Sequence, residues 1–329
     1  MLNQVSPASV AQALEQACIA EVRALKPGNV SVHSEGHGMT VAQFEASAKA
    51  ISAPLSRPAS SVGERILRAV QATREAVGCN TNLGIVLLCA PLAQAALQAR
   101  GLLHERVRAV LQTLTLQDAE LTFRAIVIAN PGGLGKTSRH DVREPPRVNL
   151  LEAMRAGMRR DLIARQYANG FYDIFTLGVP RARQVAARWA SEEWTAVAIY
   201  LAYLARFPDT HIARKYGTSA AAEVRDEARK FDRELAQQDN PSVMAASLLD
   251  WDRRLKQSGY NPGTCADLTV ATLFALRVQA LLVSCPVSSG SHGSALNRLA
   301  RVGREGLISS LARFEDHRTV VRLFNHNEE

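Results

Sequence analysis

Aromatic side chains are scarce in this chain. They make up 5% of its 329 residues, whereas residues classed as hydrophobic make up 47%. The apolar content is therefore mostly Ala, Leu and Val. Ala and Leu favour helix, and strands draw on aromatic and β-branched residues. This balance points to an α-rich protein. Cysteine is also scarce: Cys18, Cys79, Cys89, Cys265 and Cys285, an odd count with no CxxC pair. That pattern excludes a cysteine zinc site and a disulfide framework. Each cysteine sits in an apolar helical context, which predicts buried thiols in a reducing cytoplasm. Uninterrupted apolar runs are missing too. The most apolar long stretch, Ala266 to Ser284, is broken by Asp267, Arg277 and Gln279, so no membrane span is expected. Met1 to Leu25 shows no basic start followed by an apolar run, so no secretory signal is expected.

Clustered charge is the next absence. Lys and Arg exceed Asp and Glu, for a net charge of +8. Yet the arginines stand singly along helical faces with Glu and Asp nearby, and no basic block is interleaved with aromatics. That argues against nucleic acid as the partner. A polyanionic small molecule is the alternative use for the excess charge. The hydrophobic fraction excludes disorder as the main state. The length suits one large domain or two small ones and is ample for a core.

Helical signals fill most of the chain. Ser6-Pro7 reads as a cap with Pro at the first helical position, opening the stripe Val10, Ala13, Leu14, Ala17, Cys18, Val22, Leu25. Thr40 with Gln43 and Ser61 with Glu64 read as capping boxes. Further helices are expected over Asn80 to Gln98, Val107 to Leu114, Ala119 to Ala129, Leu150 to Tyr167 and Pro180 to Arg206. Three more are expected over Thr218 to Gln238, Val243 to Lys256 and Ala266 to Leu282. Residues 1–286 are expected to form one large multi-helix, bundle-like domain. After Pro286 the composition shifts to Ser, Gly, Arg and His. Residues 287–329 are expected to be a basic C-terminal appendage, either one amphipathic helix or partly disordered.

Two familiar patterns fail. Asn130-Pro-Gly-Gly-Leu-Gly-Lys-Thr137 approaches a phosphate-binding P-loop, but Asn130 stands where the first Gly is required. It reads as a flexible Gly loop. His33 and His37 stand four apart, a zinc spacing on a helix, but Gly36 and Gly38 argue for a loop. Four polar clusters remain, all where apolar helices end or begin. They are Glu21 with Lys26-Pro-Gly-Asn-Val30, then Gly78-Cys-Asn-Thr-Asn-Leu-Gly84, then Pro208-Asp-Thr-His-Ile-Ala-Arg214, and Asn261-Pro-Gly-Thr-Cys-Ala-Asp267. Each suits a helix cap. Together they suggest converging helix ends, where N-termini attract anions and Asp209 and Asp267 could hold magnesium for a phosphate chain.

In this order the clusters resemble the triphosphoribosyl-dephospho-CoA synthase family. The family's Glu and Lys-Pro-Gly-Leu-Val correspond to Glu21 and Lys26-Pro-Gly-Asn-Val30. Its Gly/His/Asp/Met loop, with Phe and Ser after it, corresponds to His37-Gly-Met39, Phe44 and Ser47. Its Gly-x-Asn-Thr-His-Lys-Gly signature corresponds to Gly78-Cys-Asn-Thr-Asn-Leu-Gly84. Its Asp-Thr-Asn and Asn-Pro-Gly…Asp motifs correspond to Asp209-Thr-His-Ile-Ala-Arg214 and Asn261-Pro-Gly-Thr-Cys-Ala-Asp267. The resemblance covers roughly Ala11 to Cys285. The chain departs from the pattern at Asn82-Leu83, where the family has His-Lys, and in lacking the loop Asp. The segment Arg160 to Asn169, with the Gly-Gly-Leu-Gly loop before it, resembles a divergent branch whose members accompany methanopterin-type one-carbon cofactor genes.

The resemblance implies an all-α fold and an ATP-dependent pentosyl transferase. Such an enzyme moves a 5-triphosphoribosyl group from ATP to a hydroxyl of dephospho-CoA or a related cofactor intermediate, and adenine leaves. Breaking the N-glycosidic bond builds positive charge on the ribose C1, which a carboxylate stabilises. Glu21 and Asp209 are the expected catalytic carboxylates. Lys26 and Arg214, with Mg2+ held by Asp209 and Asp267, would neutralise the triphosphate. Asn29, His37, Asn80, Thr81, Asn82, His211 and Asn261 are the expected contacts to nucleotide or acceptor. Three rivals stand beside this reading: transfer to an acceptor in methanopterin-type cofactor biosynthesis, a lapsed relative that only binds nucleotide, and a basic helical nucleic-acid binder. No membrane partner is expected, and a homo-oligomer is left open.

Overall fold

The computed structural model describes residues 5–98, 101–132 and 140–284. Fourteen α-helices are found among them: α1 (Pro7–Arg23), α2 (Val41–Ser56), α3 (Val62–Val77), α4 (Leu83–Ala96), α5 (Leu103–Gln112), α6 (Leu116–Ala129), α7 (Leu150–Gly157), α8 (Leu162–Asn169), α9 (Val179–Trp189), α10 (Glu192–Arg206), α11 (Thr210–Tyr216), α12 (Thr218–Gln237), α13 (Ala245–Gln257) and α14 (Gly263–Ser284). No strand occurs among the described residues, only the isolated bridges Ser31–Ser34 and Gly36–Met39. The fold of the described residues is all-α, as the family resemblance implies.

The caps read from the sequence are in place. Ser6 accepts from Ser9 N, and the boxes Thr40/Gln43 and Ser61/Glu64 are both closed. Two expected helices are each broken in the structure. Leu150 to Tyr167 divides into α7 and α8 because Asp161 takes extended geometry and caps α8. Pro180 to Arg206 divides into α9 and α10 because Ala190 turns left-handed (φ 49°) and Ser191 caps α10. The cluster around Asp209 is itself a short helix, α11.

The core is built from α1, α4, α10 and α14, which pack on one another. It consists mainly of small aliphatic side chains, with Tyr200, Tyr203, Trp251 and Phe274 as its large members. α14 passes the length and apolarity test for a membrane span (Gly263–Val283), but 56% of that window is buried inside the molecule. Its apolarity is that of a central core helix.

Pro91 sits inside α4 and cannot donate to the carbonyl of Leu87. The hydroxyl of Tyr167, from α8, donates to that carbonyl at 2.7 Å. The proline thus creates an acceptor that fixes α8 against α4. Cys18, Cys89 and Cys265 are buried thiols as expected. Cys79 is only half-buried, because it lies in the irregular turn between α3 and α4. Cys285 and residues 287–329 lie outside the described residues, so the expectation of an appendage falls there. The described residues belong to one unit, Gln4–Cys285.

Candidate active site

Two loops lock together beneath the site. α1 ends at Ala24, and Lys26-Pro27-Gly28 follows with Gly28 left-handed (φ 82°). A Cβ at Gly28 would lie 2.8 Å from Pro262 Cδ, so only glycine lets this loop sit on Asn261-Pro262. Tyr200 Oη donates to Pro27 O (2.7 Å), and Gly28 N donates to Asp252 Oδ1 (2.8 Å). Asn29 Nδ2 donates to Asn261 Oδ1 (2.8 Å), joining the chain after α1 to the chain before α14.

Above this junction, ends of α1, α3, α4, α6, α7, α8, α11 and α14 surround one cavity of about 840 Å³. Its size suits a small-molecule ligand. Of the residues expected to form a site, Glu21, Asn29, His37, Asn80, Thr81, Asn82, His211, Arg214, Asn261 and Asp267 line it. The clusters from four separate parts of the sequence therefore meet at one place.

Two expected members do not reach the cavity wall. Lys26 is completely buried behind it. Its Nζ lies 2.8 Å from Glu21 Oε1 and donates to Asn29 Oδ1 (2.8 Å) and Val30 O (2.7 Å). All three ammonium protons are used, so Lys26 has none left for a phosphate. Asp209 is also completely buried, as the N-cap of α11. Its Oδ1 accepts from His211 N (2.8 Å) and Ile212 N (3.2 Å), and its Oδ2 accepts from Cys265 N (2.8 Å). Three backbone donors claim this carboxylate, so it ties α11 to α14. The expectation that Asp209 acts as catalytic base or metal ligand is corrected on that ground. Both residues position others.

The floor and the rim of the cavity differ in charge. Glu21, Asn29, Asn82 and Asn261 on the floor are buried. Asp267 is half-buried there and has no hydrogen bond or ion pair among the described residues. A Cβ on Gly84 would come within 1.9 Å of Asp267 Oδ2, so the bare backbone of α4 makes room for that carboxyl. Burial pushes the Asp267 carboxyl well up from its usual range, reinforced by Glu21 and Asp209 and opposed by Arg214. Burial raises Glu21 as well, and Lys26 opposes the rise. The rim is cationic: Arg74, Arg160, Arg214 and Lys215 are exposed along it. Arg214 pairs with Asp161 (2.7 Å), while Arg74, Arg160 and Lys215 have no ion pair among the described residues. In the sequence Arg160 figures only as the start of the segment Arg160 to Asn169, and no motif marks Arg74 or Lys215. The last is signalled only by its place beside Arg214.

Amide groups complete the wall. Asn80 Oδ1 accepts from Leu83 N (3.1 Å), opening α4. Asn82 Oδ1 accepts from Thr73 Oγ1 (3.0 Å), while its buried Nδ2 and the Thr81 hydroxyl have no partner among the described residues. His211 is driven down to about 4 by burial, with Lys215, Arg214 and His37 adding to the effect. The other histidine of the early pair, His33, points away to Glu193 (2.9 Å). No cluster of three or more metal-ligating side chains occurs among the described residues. Asn130 ends α6 in left-handed geometry, so a helix stands where a P-loop needs a strand. Residues 133–139 lie outside the described residues.

Comparison with known proteins bears on the same region. The family model for ATP:dephospho-CoA triphosphoribosyl transferase matches residues 7–285. No curated protein matches significantly. Among solved structures, one from Archaeoglobus fulgidus, provisionally described as a triphosphoribosyl-dephospho-CoA synthase, superposes with a TM-score of 0.54 at 24% identity. The match covers 72% of this chain and 98% of that one. At that identity the likeness is one of fold.

Proposed function

Because the chain belongs to the ATP:dephospho-CoA triphosphoribosyl transferase family, we propose that its cavity transfers the triphosphoribosyl group of ATP to a hydroxyl of dephospho-CoA, with adenine leaving. The observation that carries this reading is the charge layout, with carboxyls on the floor and cations on the rim, of which Arg74, Arg160 and Lys215 have no ion pair among the described residues. Phosphoryl transfer needs cations around the reacting phosphorus. Glycosyl transfer needs carboxylates at the ribose carbon and cations only to hold the phosphates.

In this reading Arg74, Arg160, Arg214 and Lys215 bind the triphosphate. Glu21 faces the ribose C1 and stabilises the positive charge that develops as the bond to adenine breaks. Lys26 opposes the rise that burial imposes on the Glu21 carboxyl and so favours its ionised form, because a buried carboxylate with no counter-charge would take up a proton. Asn29 and Asn261 bridge each other and present their edges to the sugar. Asn80, Thr81 and Asn82 contact the base or the acceptor, where the unpartnered Asn82 Nδ2 can find an acceptor atom.

A magnesium ion suits the donors present. Magnesium prefers oxygen ligands and is commonly held by one or two carboxylates together with substrate phosphates. Asp267, unpartnered and given room by Gly84, would hold it, with Glu21 as the neighbouring carboxylate. When bound it would neutralise phosphate charge. We further propose that the enzyme works in the cytoplasm and that its transferase body lies within residues 1–286, which the family match over residues 7–285 supports.

A second acceptor is favoured by one position. Leu83 lines the cavity where the family signature carries a Lys, so the wall there is apolar and uncharged. That suits a cofactor intermediate other than dephospho-CoA, including one of methanopterin type. The test is chromatography of free adenine after incubation with ATP and Mg2+, with and without acceptor. Adenine release that depends on dephospho-CoA supports the first reading. Release only with another cofactor intermediate supports the second. Its absence with every acceptor refutes both.

A further inference from the structure

His37 stands in a part of Ramachandran space that side chains avoid. Its φ is 59°, between Gly36 and Gly38, whose small size lets the loop turn there. A residue with a Cβ in left-handed geometry stores strain, and such residues concentrate where function requires a fixed side chain. The ring is fixed as well. His37 Nε2 lies 2.8 Å from the carbonyl oxygen of Gly28. A carbonyl can only accept, so Nε2 carries the hydrogen and donates. In the neutral ring this leaves Nδ1 with a free lone pair. The Gly28 carbonyl is itself immovable, because Pro262, Asp252 and Tyr200 hold the loop on either side of it. His37 lines the cavity on its exposed side, and its partner Gly28 adjoins Asn29 of the Asn29–Asn261 junction.

We propose that His37, with its tautomer set by Gly28 O, is the general base that takes the proton from the acceptor hydroxyl. This rests on the triphosphoribosyl-transfer reading. The hydroxyl oxygen forms the new bond to the ribose C1 as its proton passes to Nδ1. The bond from C1 to adenine N9 breaks, and its electron pair leaves with the adenine, which takes a proton from water. His37 then returns its proton to solvent. The charged groups facing the ring are Lys215 of α11 and Lys256 and Asp252 of α13, with His211 of α11 across the cavity. Burial and the two lysines hold His37 below the ordinary histidine range, and the Gly28 contact and Asp252 oppose them. The ring is therefore neutral, and able to accept, at neutral pH.

The strain makes the test clean. Glycine and asparagine both tolerate left-handed geometry, so His37→Gly and His37→Asn are expected to melt at or above the wild-type temperature. Acceptor-dependent adenine release is expected to fall about 10²–10⁴-fold in both. Added imidazole is expected to restore part of the rate in His37→Gly, in proportion to its unprotonated fraction. Loss without imidazole rescue, retention of activity within threefold, or rescue of His211→Gly instead would overturn the proposal. Nitrogen NMR of the wild-type ring gives a readout independent of turnover. A neutral ring protonated on Nε2 at pH 7.5 supports the assignment, and protonation on Nδ1 overturns it. A wild type that releases no adenine refutes the functional reading, while the NMR result still decides the tautomer.

Discussion

Replacing Lys26 by Met probes the one buried ion pair on which the floor of the cavity depends. Lys26 and Glu21 lie 2.8 Å apart with side chains 0% and 4% exposed. Truncating one partner of such a pair leaves an uncompensated buried charge, which costs about 3–5 kcal/mol. Lys26→Met also strands Asn29 Oδ1 and the Val30 carbonyl, so the upper half of that range applies. For a chain of this size each kcal/mol moves the melting temperature by about 2–4 °C, so a drop of roughly 8–20 °C is expected. The deficit depends on pH in a definite direction. Burial already raises Glu21 above its ordinary value, and losing Lys26 raises it further. A carboxyl whose folded-state value is raised stabilises the fold below its unfolded value, near 4.3, and loses that contribution as pH rises through the folded value. The gap between wild type and Lys26→Met should thus be widest at neutral pH and narrow toward pH 4. Adding Glu21→Gln to Lys26→Met should recover part of the loss at pH 7. Thermal melts across that pH range read all three effects. A variant that melts within 2 °C of wild type at pH 7, or a gap that widens in acid, would refute the reasoning.

Three further outcomes follow from the geometry. Gly84→Ala places a methyl group 1.9 Å from Asp267 Oδ2 and must displace that carboxyl; adenine release should fall about 10²-fold, the scale of a 1 Å misplacement, with little change in helix content by circular dichroism. Asp209→Asn should lower stability by about 1–3 kcal/mol in thermal melts, because one amide oxygen cannot serve three backbone donors; kcat should fall without a change in the shape of the pH profile, since the group is structural. Combined Arg74→Ala and Lys215→Ala should raise KM for ATP at least tenfold and leave kcat within a few-fold, because these cations bind phosphate equally in ground and transition states. An unchanged KM for ATP would place the triphosphate elsewhere.

Much of the fold was legible because its signals are local. The Thr40/Gln43 and Ser61/Glu64 boxes and the Ser6-Pro7 cap announce helix starts within four residues. The breaks between α7 and α8 and between α9 and α10 were not read. Apolar spacing continues across both, and the left-handed Ala190 carries no glycine signal. The site divides in the same way. Polar clusters at helix ends marked Glu21, Asn29, Asn82, Asn261 and Asp267, which do meet. Whether a charged side chain in such a cluster faces the cavity or the core is a tertiary matter. Lys26 turns back to Glu21, and Asp209 is consumed by its own cap and by Cys265 N. The rim cations come from α3, from the turn after α7 and from α11, so in sequence they are three among many dispersed basic residues.

The claim at the centre of this account is that the bond broken in ATP is the one between ribose and adenine. Mass analysis of a reaction containing the protein, ATP, Mg2+ and dephospho-CoA decides it. The account predicts free adenine and, in equal amount, an acceptor heavier by a complete triphosphoribosyl unit with all three phosphates retained. ADP or AMP accompanied by a phosphorylated or adenylylated acceptor would contradict it.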